Sequence, residues 1–152
     1  MKRLAVWPIA EHEVAAAVQL INAGSLTVPI EDLDSLKNYV AAIVETRKRG
    51  GEVFVADLDG EVVGVCQVIV FRHLQHRGGR CAEIESVHVR SDVRSKGIGA
   101  ALLRASEKFA LTKDCYRIQL TSNNQRADAH RFYVANGYAQ SHQGFKKSLS
   151  DD

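Results

Sequence analysis

One segment of the sequence combines glycines and cations in an arrangement suited to binding an anion. Residues 87–103 read VHVRSDVRSKGIGAALL: a valine-rich strand, a polar turn and an amphipathic helix. The N–H groups of a first helical turn lack partners within the helix, and the helix dipole is positive there. Gly97 and Gly99 keep side chains away from these groups, and Arg94 and Lys96 add positive charge. The pattern predicts a phosphate site, with a plain strand-to-helix connection as the alternative.

Two common nucleotide motifs do not match this turn. The lysine and hydroxyl residue that complete a P-loop do not follow its glycines, and GIGAAL lacks the third glycine of a dinucleotide fingerprint. A nucleotide-binding protein is therefore disfavoured.

Two carboxylates precede the turn on the same predicted strand. Glu83 and Glu85 are two residues apart, so they point to one face of a regular strand. Such a pair can hold an ammonium ion, relay its proton through water, or simply be solvated. His88 points to the opposite face unless a β-bulge intervenes, and it is a minor third candidate for proton transfer.

The elements that must position these residues show helical spacing first and valine-rich strands later. The sequence predicts helices at 11–23, 36–47, 97–111 and 127–135, and strands at 2–7, 52–58, 61–71, 81–89, 116–121 and 144–149. Asp59-Gly60 predicts a hairpin, and the polar stretch 73–80 predicts a second one. A mixed sheet flanked by helices accommodates this order.

Composition bounds the class of protein. The 152 residues suit a single domain over 1–152, and a net charge of +2 gives no overall case for nucleic acid or an anionic membrane. The three cysteines form no CxxC pair and no histidine completes a zinc spacing, so reduced thiols and no metal are expected. No secretory signal or membrane-spanning run is recognised, which favours a cytoplasmic location.

The turn resembles the signature with which the GNAT acetyltransferase superfamily binds the pyrophosphate of coenzyme A, R/Q-x-x-G-x-G/A. Arg94, Gly97 and Gly99 match its fixed positions. A later stretch is similar to the family segment NxxAxxxYxxxGF, through Ala129, Tyr133, Gly137 and Tyr138, with Tyr in place of Phe. Arg126 stands at the usual Asn position, although Asn123 and Asn124 lie just upstream. The order of predicted elements is also similar along nearly the whole chain.

The resemblance implies the α/β GNAT fold: a twisted, mixed, mostly antiparallel sheet flanked by helices. Strands 81–89 and 116–121 would part at its centre to admit acetyl-CoA, the co-substrate. Pantetheine would run beside the bulged end of the first of these strands, whose backbone N–H groups would stabilise the oxyanion. The implied coenzyme-binding residues are Val87, His88, Val89, Arg94, Ser95, Lys96, Gly97, Ile98, Gly99, Ala100, Asn123, Arg126, Ala129 and Tyr133.

The resemblance also assigns catalytic roles. Tyr133 would protonate the departing thiolate, because a phenol with a pKa of about 10 is still protonated at neutral pH. Alternatively, Tyr133 only packs with Ala129. An acidic residue two before the valine of this strand is common in the family, which favours Glu85 over Glu83 as the base.

The expected activity is acetyl transfer from acetyl-CoA to a primary amine of a small molecule, by direct attack in a ternary complex. The alternatives are a peptide N-terminus or lysine as acceptor, or a non-catalytic acyl-CoA-binding regulatory module. Residues 24–34 carry acidic side chains, which suit a polyamine or aminoglycoside. Residues 72–80 carry arginines and histidines, which suit an anionic amine such as an aminophosphonate or amino acid. Neither loop decides the acceptor, and a homodimer is left open.

Overall fold

The computed structural model describes residues 2–150, which form two compact units divided between Leu120 and Thr121. The first unit is built on a five-stranded sheet in which the strands follow chain order. The first four strands are antiparallel neighbours, and the fifth runs parallel to the fourth. The strands are β1 (Leu4–Pro8), β2 (Glu52–Leu58), β3 (Glu61–Arg72), β4 (Arg80–Val89) and β5 (Cys115–Leu120).

Within the described residues, three helices and one short turn labelled α3 belong to this first unit, and one helix belongs to the second. A 3-10 turn at Glu11–Glu13 leads into the first helix, so the predicted helix 11–23 begins with tighter winding. The helices are α1 (Val14–Ala23), α2 (Lys37–Lys48), the short turn α3 (Gln75–Gly78), α4 (Ile98–Thr112) and, in the second unit, α5 (Ala127–Ala135).

One face of the sheet packs against α1 and α2. Val55 and Val65 point from the sheet into a buried apolar cluster with Val14 and Val18 of α1. Side chains of α2, including Val40, pack on the edge of this cluster. The valines alternate with residues of the opposite face, as expected for strands that are covered on both sides.

The other face packs against α4. The rings of Phe54 and Phe109 meet edge to face at 5.6 Å. Gly64 brings the sheet close to this helix, because a Cβ there would lie 3.0 Å from Cδ1 of Leu102. The position of α4 on the sheet is therefore set by close packing at these two contacts.

Sequence and structure agree for the hairpins but differ at the C-terminal end. Asp59 and Gly60 both have positive φ and join β2 to β3 in a tight turn. The predicted strand 144–149 is wrong: the chain forms no strand there. Its apolar residues Phe145 and Leu149 are 92% and 95% exposed, so no buried face stabilises strand pairing.

The three cysteines are free, as expected, and burial raises the pKa of the Cys66 thiol to about 11. No helix within residues 2–150 has the length and apolar character needed to cross a bilayer. That the 152 residues form a single domain stays a prediction.

Candidate functional site

The predicted phosphate turn lies between the end of β4 and the start of α4. Two buried side chains hold it, since Val93 is 4% and Ile98 is 2% exposed. Between them, residues 94–97 are exposed, including the side chains of Arg94 and Lys96. The polar part of the turn thus faces solvent while its two ends are anchored in the core.

The start of α4 has the features of an anion site. Gly97 is the N-cap residue and has φ of +80°, a left-handed conformation that favours glycine. No side chain of the described residues caps this helix start, and the first intrahelical bond runs from Ala101 N to Gly97 O at 3.0 Å. The N–H groups of Ile98, Gly99 and Ala100 therefore lack acceptors within the helix, as first-turn donors do, and suit an anionic ligand. A pyrophosphate fits this donor set.

Arg90 has a structural role at the entrance to the turn. Its guanidinium donates to Asp92 at 2.6 Å and to Glu61 at 3.0 Å. These bonds raise the pKa of Arg90, and the bond from Arg90 lowers the pKa of Asp92. The bond to Glu61 links the turn to β3. Because the charge of Arg90 is matched by two carboxylates, Arg94 and Lys96 are better placed to attract a ligand.

A β-bulge in β4 changes which side chains share a face. Gln67 of β3 is opposite Glu85, but Val65, only two residues away, is opposite His88. The extra residue lies at Ser86 and Val87, and Ser86 has φ of +54°. The predicted bulge is confirmed. It places His88 on the same face as Glu83 and Glu85, whereas uninterrupted alternation would put it on the opposite face.

The end of α1 packs directly against this histidine. A Cβ on Gly24 would lie 2.2 Å from Nδ1 and 2.7 Å from Cε1 of His88. Gly24 follows the last residue of α1, so the absence of a side chain there lets the imidazole lie against the helix end. The sequence predicted only that the helix ends at residue 23, just before Gly24.

The two carboxylates differ in their surroundings. Glu83 is half-buried and accepts a hydrogen bond from Nε2 of Gln119 on β5 at 2.6 Å, whereas Glu85 is exposed. Opposite Glu85 on β3, Gln67 donates to Oγ1 of Thr46 at 2.9 Å. Sequence reasoning missed both glutamines, although their alternation within β3 and β5 is the signal that would have found them.

The pairing of β4 with β5 ends before β4 does. The last paired residues are Ile84 and Leu120, and β4 continues to Val89. Within the described chain, the bulged end of β4 is therefore not paired with β5. β5 itself ends at Leu120, so the predicted parting of the two strands stays a prediction. The backbone at Val87–Val89 is paired only on the β3 side of the sheet.

The second unit holds the remaining predicted site residues. Arg126 is the N-cap residue of α5, and Tyr133 is half-buried with its ring 5.3 Å from Phe132 and 6.1 Å from Tyr138. Upstream, the side-chain oxygen of Asn123 accepts from the backbone of Gln125 at 2.9 Å. The roles assigned to Asn123, Arg126, Ala129 and Tyr133 stay predictions. Within residues 2–150, no group of three or more His, Cys, Asp and Glu side chains is arranged to hold a metal ion.

Comparisons with known proteins agree with this geometry. The Acetyltransferase (GNAT) family matches residues 16–138. The aminoalkylphosphonate N-acetyltransferase of Salmonella typhimurium is 38% identical over 91 residues, which is 60% of this chain and 58% of that protein. The chain thus matches less than two thirds of the relative's length.

Solved structures show the same fold. A protein of Bacillus halodurans described as a transcriptional regulator is 30% identical, with a TM-score of 0.87 over 97% of this chain and 100% of that one. An aminoglycoside N-acetyltransferase in complex with CoA is 13% identical, with a TM-score of 0.83 over 99% and 97% of the two chains. Members of the family use acetyl-CoA. The family match over most of the chain and the predicted phosphate turn after a bulged strand lead to one conclusion: this protein belongs to the GNAT acetyltransferase family.

Proposed function

We propose that this protein transfers the acetyl group of acetyl-CoA to the primary amine of a small molecule, by direct attack in a ternary complex. The observation that carries the proposal is the arrangement of β4. One strand presents Glu83, Glu85 and His88 on one face, extends beyond the end of β5, and leads directly into a turn with the features of an anion site.

The turn is proposed to hold the pyrophosphate of the coenzyme. The first N–H groups of α4, with Arg94, Ser95 and Lys96, supply donors and positive charge. The backbone of Val87, His88 and Val89 is proposed to align the rest of the coenzyme and to stabilise the developing oxyanion. Bound acetyl-CoA would supply the activated acyl group.

The amine must reach the reaction as a free base. Most alkylamines are protonated at neutral pH, so a carboxylate or a water held by one must accept the proton. Glu85 is the proposed acceptor, and its exposure suits exchange of that proton with solvent. Glu83, whose carboxylate is held by Gln119, is proposed to orient the ammonium group.

Proton balance requires a donor for the leaving thiolate. As the C–N bond forms and the C–S bond breaks, the sulfur gains a proton, which we assign to the phenol of Tyr133. The assignment is supported by the match of Tyr133 to the family segment NxxAxxxYxxxGF. Net release of one proton from the ammonium substrate completes the reaction.

The acceptor is proposed to carry an anionic group beside its amine. Two observations support this choice: the Salmonella relative acts on aminoalkylphosphonates, and the β3–β4 hairpin of this chain is basic. Purified protein incubated with acetyl-CoA and an amine library, with free thiol as the readout, tests the proposal. Turnover of short amino acids and aminophosphonates is expected. Thiol release with none of the amines would contradict an enzymatic function.

A second candidate is a non-catalytic acyl-CoA-binding module. The description of the Bacillus halodurans protein as a transcriptional regulator favours it, because that chain aligns along its whole length. Calorimetry separates the two candidates: tight acetyl-CoA binding without turnover of any amine, peptides included, would favour the module.

A further inference from the structure

Arg117 of β5 contains a buried donor that has no partner among the described residues. Its Nε is shielded from solvent, yet no atom of the described chain accepts a hydrogen bond from it. Buried polar groups in folded proteins are nearly always hydrogen-bonded, and leaving one unsatisfied is costly. Because Arg117 as a whole is only half-buried, the missing acceptor can come from outside the protein.

The register of the sheet places Arg117 beside the carboxylates of the candidate site. Cys81 is opposite Arg117, and Glu83 is opposite Gln119, two residues further along both strands. In-register neighbours on parallel strands point to the same face, and the Gln119–Glu83 hydrogen bond confirms it for that pair. Arg117 therefore belongs to the face that carries Glu83 and Glu85. Two residues of a strand span roughly 7 Å.

The guanidinium of Arg117 forms no salt bridge with a carboxylate of the described residues. Among the described residues, Arg90 and Arg47 each form a salt bridge to a carboxylate, whereas Arg117 forms none. The pKa of Arg117 is raised, mainly by the neighbouring Cys81 side chain and to a smaller extent by Tyr116 and Glu83. Arg117 is thus a persistent cation next to the site, with an unused N–H.

We infer that Arg117 binds the anionic group of the acceptor while Glu83 and Glu85 hold its amine. The inference deepens the proposed function and rests on it for the identity of the reaction. A guanidinium suits carboxylate, sulfonate and phosphonate oxygens, because it offers directed N–H groups together with a permanent charge. The short distance between Arg117 and the carboxylates selects acceptors whose amine and acid groups are separated by only a few bonds.

A matched series of ligands tests this selection. β-Alanine, taurine and 2-aminoethylphosphonate share an amine and a two-carbon chain, and propylamine lacks the anion. Calorimetric Kd values in the presence of CoA are measured for the wild-type protein, Arg117→Gln and Arg117→Lys. We expect Arg117→Gln to weaken binding of the anionic ligands by about 10- to 100-fold, the range for a charge-assisted hydrogen bond. Propylamine should bind all three proteins alike, and Arg117→Lys should recover part of the loss.

Lys108→Gln is the control, because Lys108 is an exposed cation of α4 outside the β3–β4 hairpin and β5. Arg72→Gln tests the basic hairpin as a rival anion site, since Arg72 donates to Gly78 O there. Equal binding of the anionic ligands by wild-type protein and Arg117→Gln would overturn the inference, as would a loss confined to Arg72→Gln. Wild-type protein that binds none of the anionic amines would overturn it as well. Because binding is measured without acetyl transfer, binding that depends on Arg117 with no turnover would refute only the proposed enzymatic function.

Discussion

At the scale of single residues, the two carboxylates of β4 lie on one face but in different environments. Glu83 is half-buried and held by Gln119, whereas Glu85 is exposed next to the bulge. A held carboxylate suits orientation of a cation, and an exposed one suits proton exchange. This difference supports distinct roles for the two residues.

Glu85→Gln should lower kcat/KM about 100-fold near neutral pH, within the usual range for loss of a general base. The deficit should shrink as pH rises, because the free amine becomes abundant without help from the protein. The pH profile of kcat/KM is the measurement, and Glu83→Gln on the same face is the control. A normal Glu85→Gln beside a severely impaired Glu83→Gln would reverse the assignment. Wild-type profiles for both variants would leave His88 or water as the base.

Tyr133→Phe should reduce kcat roughly 10- to 1000-fold if the phenol protonates the thiolate. The ring is retained, so the affinity for acetyl-CoA should barely change. Tyr138→Phe, whose ring lies 6.1 Å from that of Tyr133, is the matched control. An unchanged kcat with chemistry shown to limit the rate would assign Tyr133 to packing alone.

At the scale of elements, the junction between β4 and α4 is the proposed anion site. Gly99→Glu should lower acetyl-CoA affinity at least tenfold, equivalent to about 1.4 kcal/mol, because it adds a bulky negative group to the first helical turn. Calorimetry on the folded variant is the measurement. Arg104→Gln changes the net charge equally at an exposed position of α4 outside the turn, so it should bind acetyl-CoA normally. Unchanged affinity in Gly99→Glu would remove the pyrophosphate from this turn.

The contact between the end of α1 and β4 gives a second prediction at this scale. Gly24→Ala should destabilise the protein by about 1–3 kcal/mol, because the new methyl group would overlap the His88 ring. When His88 is already alanine, adding Gly24→Ala should cost much less unfolding free energy, because the ring that the methyl group overlaps is gone. Denaturant unfolding of the four proteins forms a double-mutant cycle. Strictly additive effects would show that the ring and the helix end do not interact.

At the scale of the whole molecule, the stability of the first unit depends on the packing of α4 against the sheet. Leu102 has none of its surface exposed and lies close to Gly64, so Leu102→Ala should cost about 2–5 kcal/mol of unfolding free energy. Leu111 of the same helix is 73% exposed. Leu111→Ala should therefore change the unfolding free energy by no more than about 0.5 kcal/mol. Similar unfolding midpoints for the two variants in denaturant would contradict the close packing of α4 against the sheet.

Much of the fold was accessible from the sequence because it depends on local signals. Asp59-Gly60 predicted the first hairpin through its turn chemistry, and the apolar stripe of α4 predicted its length to within one residue at each end. The position of the turn before α4 was also predicted, because a glycine and polar residues before an apolar stripe are local signals of a helix start. The strand at 144–149 was wrong because a strand needs a partner and a buried face, which spacing alone does not provide.

The sequence by itself determined the order of the five strands and of α1, α2, α4 and α5, the glycine-containing basic turn before α4 and the pair of carboxylates on one strand. Only the tertiary structure decided that His88 joins those carboxylates, because the face of a residue beyond a bulge depends on pairing with β3. Likewise, no local pattern indicated that Gln119 holds Glu83, that Gly24 makes room for His88, or that Arg117 has an unsatisfied donor. Each of these depends on which distant segments meet, and long-range pairing and packing set that, not local propensity.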